Sequence, residues 1–338
     1  MRATVMTDKA LAKHAGRFVW LSIDTEDPKN AAYLEKFPWE AVPTFQVLDA
    51  GGEHVEYQWI GAVDVAELTR RLGEGERAFR DAATTAEKPS GVDTEVLDLA
   101  MADKTEECVK SALAALPTLQ PGIVRANVAS TGLDCALSAP KEAAWRAEAI
   151  TTLEAATKEA LGYPGLLDDD VSGLYGVLVD ARDRQDDPAG GKAMAIAWLD
   201  WLDKQAAGAP SPEARAALDG FRVSAAIRAG APGRVLATIQ KSESELPKDY
   251  NPPARLALAL RELGRYDEAL AASDRALALV YGPRKLTVLD ARATIYDKKG
   301  DKAAAKATLE EALAYADTLP APQRPKGMIA RIQKKLAG

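Results

Sequence analysis

Two cysteines and two histidines are all that 338 residues offer for thiol, redox or transition-metal chemistry. No cysteine precedes Cys108, so the first hundred residues hold no Cys-x-x-Cys dithiol, and neither Cys108 nor Cys135 stands beside a histidine. His14 and His54 lie far from any serine or cysteine arrangement that suggests a triad, and each reads as a surface residue. No window approaches the roughly 18 uncharged apolar residues of a membrane span. Charges at Arg2, Asp8, Lys9 and Lys13 break any apolar secretion signal at the start. Basic residues are in the minority, 43 against 50 acidic, and a net charge of -7 excludes a nucleic-acid surface over most of the chain. The tail alone is locally basic, through Arg324, Lys326, Arg331, Lys334 and Lys335, and reads as a solvated final helix. Asp168, Asp169 and Asp170, with Asp180, Asp183, Asp186 and Asp187, fit no calcium loop and read as helix caps. Gly190-Gly191 reads as a linker, not a phosphate loop. No metal or cofactor is expected.

What is present is an ordinary globular composition, 47% apolar and 28% charged, in a chain long enough for two or more units or a repeat array. Ala10–Gly16 reads as a helix ended by its glycine, and Phe18–Asp24 is a continuous apolar run of strand length. Asp27 and Pro28 open a helix reaching about Phe37. Thr44–Leu48 and His54–Ile60 alternate apolar with polar residues around Gly51-Gly52, the pattern of a β-hairpin. Val63–Leu72 follows as a helix with Val65, Leu68 and Leu72 on one face.

This order, with "VPTF" opening the hairpin, resembles the second half of the thioredoxin fold and covers roughly the first quarter of the chain. The resemblance implies that Val42, Pro43 and Thr44 form the family's substrate-contacting proline motif, with Pro43 either cis or an ordinary strand-start proline. The dithiol segment that such an oxidoreductase needs is missing, so no catalytic residue is assigned and the domain is expected to be N-terminally truncated. A gene start placed at an internal methionine is expected to account for this in preference to missing elements supplied by another chain. The run Phe18–Asp24 and the hairpin would then leave two strand edges facing a gap.

From about Glu95 onward the chain reads as helical hairpins. Gly230, Gly264 and Gly300 then align three segments 34 and 36 residues apart. The period, with Gly264, Tyr266, Ala269, Ala276 and Leu277, and with Ala305 and Ala312 in the small-residue positions, resembles the tetratricopeptide repeat over roughly the last third. The expected class is α+β, mostly α: an incomplete thioredoxin-like domain over 1–82, helical hairpins over 83–207 and a tetratricopeptide-like solenoid over 208–338.

Cys108 and Cys135 fall on neighbouring helices and are either a structural disulfide or two buried thiols, according to compartment; a periplasmic or secreted location is left open. The repeat register places Ala254, Leu258, Arg261, Asp290, Thr294 and Asp297 on a partner-binding face. With two aspartates against Arg261, that face is expected to take a basic or internal segment of a protein partner rather than an acidic C-terminal tail, or else to pack against the chain's own thioredoxin-like domain. Two functions follow: a thiol-disulfide oxidoreductase or isomerase family member lacking its dithiol, and a non-catalytic repeat scaffold.

Overall fold

The computed structural model describes residues 5–39, 42–80 and 91–337. They form two compact units, one from the described residues of Met1–Lys13 and Ala41–Trp201, the other from those of His14–Glu40 and Leu202–Gly338.

In the first unit, β1 (Thr44–Leu48) pairs antiparallel with β2 (Val55–Ile60), placing Phe45 opposite Trp59 and Val47 opposite Tyr57. The Asp49 carboxylate accepts from the backbone N–H groups of Glu53 and His54 and so closes the connection. Phe45 and Trp59 stack with centroids 4.7 Å apart. Helix α2 (Val65–Arg80) lies on this hairpin, burying Leu68 and Leu72, and Tyr57 Oη donates to Glu74 at 2.5 Å. The sheet has two strands among the described residues.

Helices α3 (Val92–Met101), α4 (Thr105–Ala115), α5 (Ile123–Ser138) and α6 (Arg146–Ala160) pack as antiparallel neighbours around Val96, Val109, Leu133 and Leu153. Helix α7 (Asp168–Arg184) covers them, and α8 (Pro188–Ala207) follows. The buried Glu154 of α6 is paired with Lys158 and with Arg182 of α7, which keeps a charge inside this bundle compensated.

The second unit runs α9 (Pro212–Ala217), α10 (Asp219–Arg228), α11 (Leu236–Glu245), α12 (Asn251–Glu262), α13 (Tyr266–Leu279), α14 (Arg284–Lys299), α15 (Lys302–Thr318) and α16 (Lys326–Ala337). Pro252 and Pro253 occupy the first turn of α12, where a missing N–H costs nothing. Gly264 and Gly300, at φ +72° and +92°, end α12 and α14 in the left-handed conformation that β-carbon-bearing residues resist. The Asp301 carboxylate then caps α15 by accepting from Ala304 N–H. Ala269, Ala276, Ala305 and Ala312 are buried, so paired helices approach closely. At the start of the unit, buried Arg222 holds Asp203 and Asp219.

Three expectations are corrected. Phe18–Asp24 forms no strand; Val19 and Leu21 are 89% and 69% exposed, because an apolar run becomes a strand only where a neighbour pairs with its backbone. The expected helix Ala10–Gly16 is a 3-10 turn over Lys9–His14, and its His14 is buried, not a surface residue, whereas His54 is exposed. The described residues of His14–Glu40 fall in the second unit, where α1 (Ala31–Lys36), preceded by the Asp27 cap and Pro28, packs near Ala321–Gln323.

Candidate functional site

The first helices of the C-terminal pairs present one polar stripe. On α14 the residues Asp290, Thr294 and Lys298 recur every four positions and therefore share a face; on α12 Leu258 and Glu262 do the same. Lys298 donates to both carboxylate oxygens of Glu262, at 2.9 and 3.0 Å, and Arg261 Nε donates to the same carboxylate at 2.7 Å. Burial pushes the Glu262 pKa up, but the bonds from Lys298 and Arg261 outweigh it and hold the carboxyl below its ordinary value.

Along the stripe, Asp290 is only 7% exposed. Arg331 and Lys335 of α16 donate to its two oxygens at 3.0 and 2.6 Å, and Lys335 also reaches Thr294 Oγ1 at 3.5 Å. The tail is thus more than a solvated helix: two of its cations turn inward to a carboxylate that burial leaves in need of partners. Asp297 pairs with Lys302 on the next helix. The stripe holds Glu262, Asp290 and Asp297 against Arg261, Lys298, Lys302, Arg331 and Lys335, three carboxylates and five cations. Two aspartates that the sequence set against an acidic ligand are neutralised from within.

Of the residues expected here, Ala254 is partly buried and packs against the cluster of Ala276, Val280 and Val288. Leu258 and Thr294 are half-buried. Glu262 and Lys298 were not among the expected residues; extending the four-residue stripe from Leu258 and Thr294 would have found them.

In the first unit Cys108 of α4 and Cys135 of α5 are joined by a disulfide, 27 residues apart in sequence and buried in the helical core. Val42, Pro43 and Thr44 lead into β1; the Val42–Pro43 peptide is cis, Val42 is exposed, and the Pro43 carbonyl accepts from Gly61 N–H. Asp170 accepts from Leu167 N–H at 2.8 Å and Asp187 from Gly190 N–H at 2.9 Å, both as caps at helix starts. Burial pushes the carboxyls of Asp168 and Asp170 up. Among the described residues no group of three His, Cys, Asp or Glu could hold a metal ion, and no helix is long and apolar enough to cross a membrane.

Antiparallel helix pairs with a glycine at each turn and alanines at each close approach define the C-terminal region as a helical-repeat array. Residues 250–318 match the tetratricopeptide repeat family. Solved structures with similarity to the chain include YrrB, described as a TPR protein with an unusual peptide-binding site, at 14% identity over 67% of this chain and 99% of that one, TM-score 0.31. A second is the TPR2AB domain of yeast Sti1 in complex with pHSP90, at 13% identity over 73% and 97%, TM-score 0.31. A third is BtubC (BKLC) from P. vanneervenii, at 15% identity over 74% and 93%, TM-score 0.39. No curated protein matches the chain.

Proposed function

We propose that the chain is a non-catalytic protein-interaction scaffold whose first-helix stripe over α12, α14 and α16, with Lys302 at the start of α15 on its edge, binds an acidic segment of a partner protein. The observation that carries this reading is the charge count of the stripe, five cations to three carboxylates, with Lys298 and Arg331 still 41% and 53% exposed. Cations that already hold one carboxylate keep donor capacity for a second, and exposed ones steer an acidic ligand in. The match of residues 250–318 to a repeat family whose members present such faces to protein partners supports the same reading.

Fluorescence anisotropy of short labelled peptides, one rich in Glu and Asp and one rich in Lys and Arg, tests it. The acidic peptide should bind and release as salt rises. Lys298→Met, which keeps the aliphatic stem, should weaken it about two- to fivefold, the scale of one exposed charge pair. Preference for the basic peptide would reverse the assignment.

The second reading, descent from a thiol-disulfide oxidoreductase, is favoured by the hairpin and its following helix, with Val42, Pro43 and Thr44 as the remnant of a substrate-contacting motif. The chain offers such a reaction no free dithiol, because its two cysteines are bonded to each other. That bond favours work in an oxidising compartment.

A further inference from the structure

Within the second unit, residues Asp24–Asp27 make a turn closed by its own local hydrogen bonds. Asp24 Oδ1 accepts from Glu26 N–H at 2.9 Å, Asn30 Nδ2 donates to the Asp24 carbonyl at 2.8 Å, and Asp27 accepts from Lys29 N–H at 3.0 Å. Two connections between repeat helices receive this turn, one at 280–283 and one at 319–325. Tyr281 Oη donates to Asp24 Oδ2 at 2.5 Å and Arg284 Nε to Glu26 Oε1 at 2.6 Å. Gln323 Nε2 donates to the main-chain carbonyls of Thr25 and Asp27, each at 2.9 Å. Both acceptors are carbonyls, which fixes the amide with its nitrogen toward the turn. Gly282 has φ +60°, and a β-carbon there would stand 2.3 Å from the Glu26 carbonyl oxygen.

These contacts are of the two kinds by which proteins hold peptides: backbone capture that is indifferent to sequence, and side-chain contacts that select it. Gln323 is 4% exposed and supplies the first kind; Tyr281 and Arg284 select acids two residues apart. The receiving residues come from two segments about forty positions apart in sequence, a loop running into the start of α14 and the loop before α16, so the cradle belongs to the array, not to the turn.

We propose that Tyr281, Gly282, Arg284 and Gln323 form a peptide-binding site for an acidic turn of the form Asp-x-Glu-Asp leading into a helix. In this chain the site is filled in cis by Asp24–Asp27, and the same kind of turn on another polypeptide takes it when the cis turn is withdrawn. A tethered ligand acts at an effective concentration on the order of millimolar. The intact chain therefore masks the site from dilute ligand.

The probe is a fluorescein-labelled peptide of residues 22–38, titrated into the full chain in three forms. Wild type should bind weakly. Asp24→Ala with Glu26→Ala, which loosens the cis turn, should bind at least tenfold more tightly. Adding Gln323→Ala should remove that gain, while adding Lys298→Met should not, which separates this site from the first-helix stripe. A released variant that binds no better than wild type, a silent Gln323→Ala, or equal binding of a scrambled peptide would overturn the proposal. Gly282→Ala gives a second readout in the otherwise unaltered chain: amide exchange at residues 24–30 should accelerate at least tenfold while α12 to α15 stay protected. Unchanged exchange at 24–30 would likewise overturn it.

Discussion

The ammonium of Lys335 lies 2.6 Å from the carboxylate of Asp290, across 45 residues of sequence. With Arg331 it joins the last helix to the first helix of the preceding pair, and it turns an acidic spot on the candidate face into a cationic one. On the proposed reading, one carboxylate serves both stability and ligand polarity.

Removing it separates the two. Asp290→Ala should cost about 1–2 kcal/mol, since charged hydrogen bonds to a buried acceptor are lost while the freed cations stay solvated. Amide exchange should rise in α16 before it rises in α12. The same substitution should strengthen binding of an acidic peptide, as two cations become free for it. Denaturant melts and the anisotropy titration measure both; weaker acidic binding by a folded variant would show that Asp290 does not set the polarity of the face.

The disulfide should matter to stability and not to turnover. Replacing Cys108 and Cys135 together by Ala should cost roughly 3.5 kcal/mol, the chain-entropy value for a loop of this size. The oxidised chain should reduce an insulin-type disulfide no faster than buffer, because both sulfurs are bonded and buried. Mass spectrometry after thiol alkylation should find neither cysteine labelled in the oxidised protein. Reductase turnover above buffer would revive the oxidoreductase reading.

Glu67 on α2 supplies a pH prediction. Hydrogen bonds from Arg70, opposed by burial and helped by Arg71, hold its carboxyl at about 2. A folded value below the unfolded one stabilises above pH 4.5, and that contribution disappears as pH falls toward 2. The Glu67 side chain is 25% and that of Arg70 53% exposed, so solvent screening should hold the effect to about 1 kcal/mol. The carboxyl-carbon shift of Glu67 should titrate near 2. A midpoint at the ordinary 4.5 would contradict the arginine contacts.

Elements with a local cause were legible in the sequence. Alternation around Gly51-Gly52 located both strands to within a residue, the Asp27-Pro28 pair located the start of the helical segment before α1, and Gly264 and Gly300 located the repeat turns. What failed depended on distant partners. Phe18–Asp24 has the composition of a strand and lacks a neighbour to pair with. Arg331 and Lys335 looked solvated because Asp290 lies 41 and 45 residues away, and Glu262 and Lys298 are 36 apart. Nothing near Gln323 announces that its amide holds two carbonyls near the other end of the chain.

The most direct measurement is a selection of random peptides on the full chain, repeated on a variant carrying Lys298→Glu and Arg331→Glu. The account predicts sequences enriched in Asp and Glu on the native chain and loss of that enrichment on the variant. Basic or purely apolar sequences on the native chain, or acidic enrichment that survives both substitutions, would contradict it.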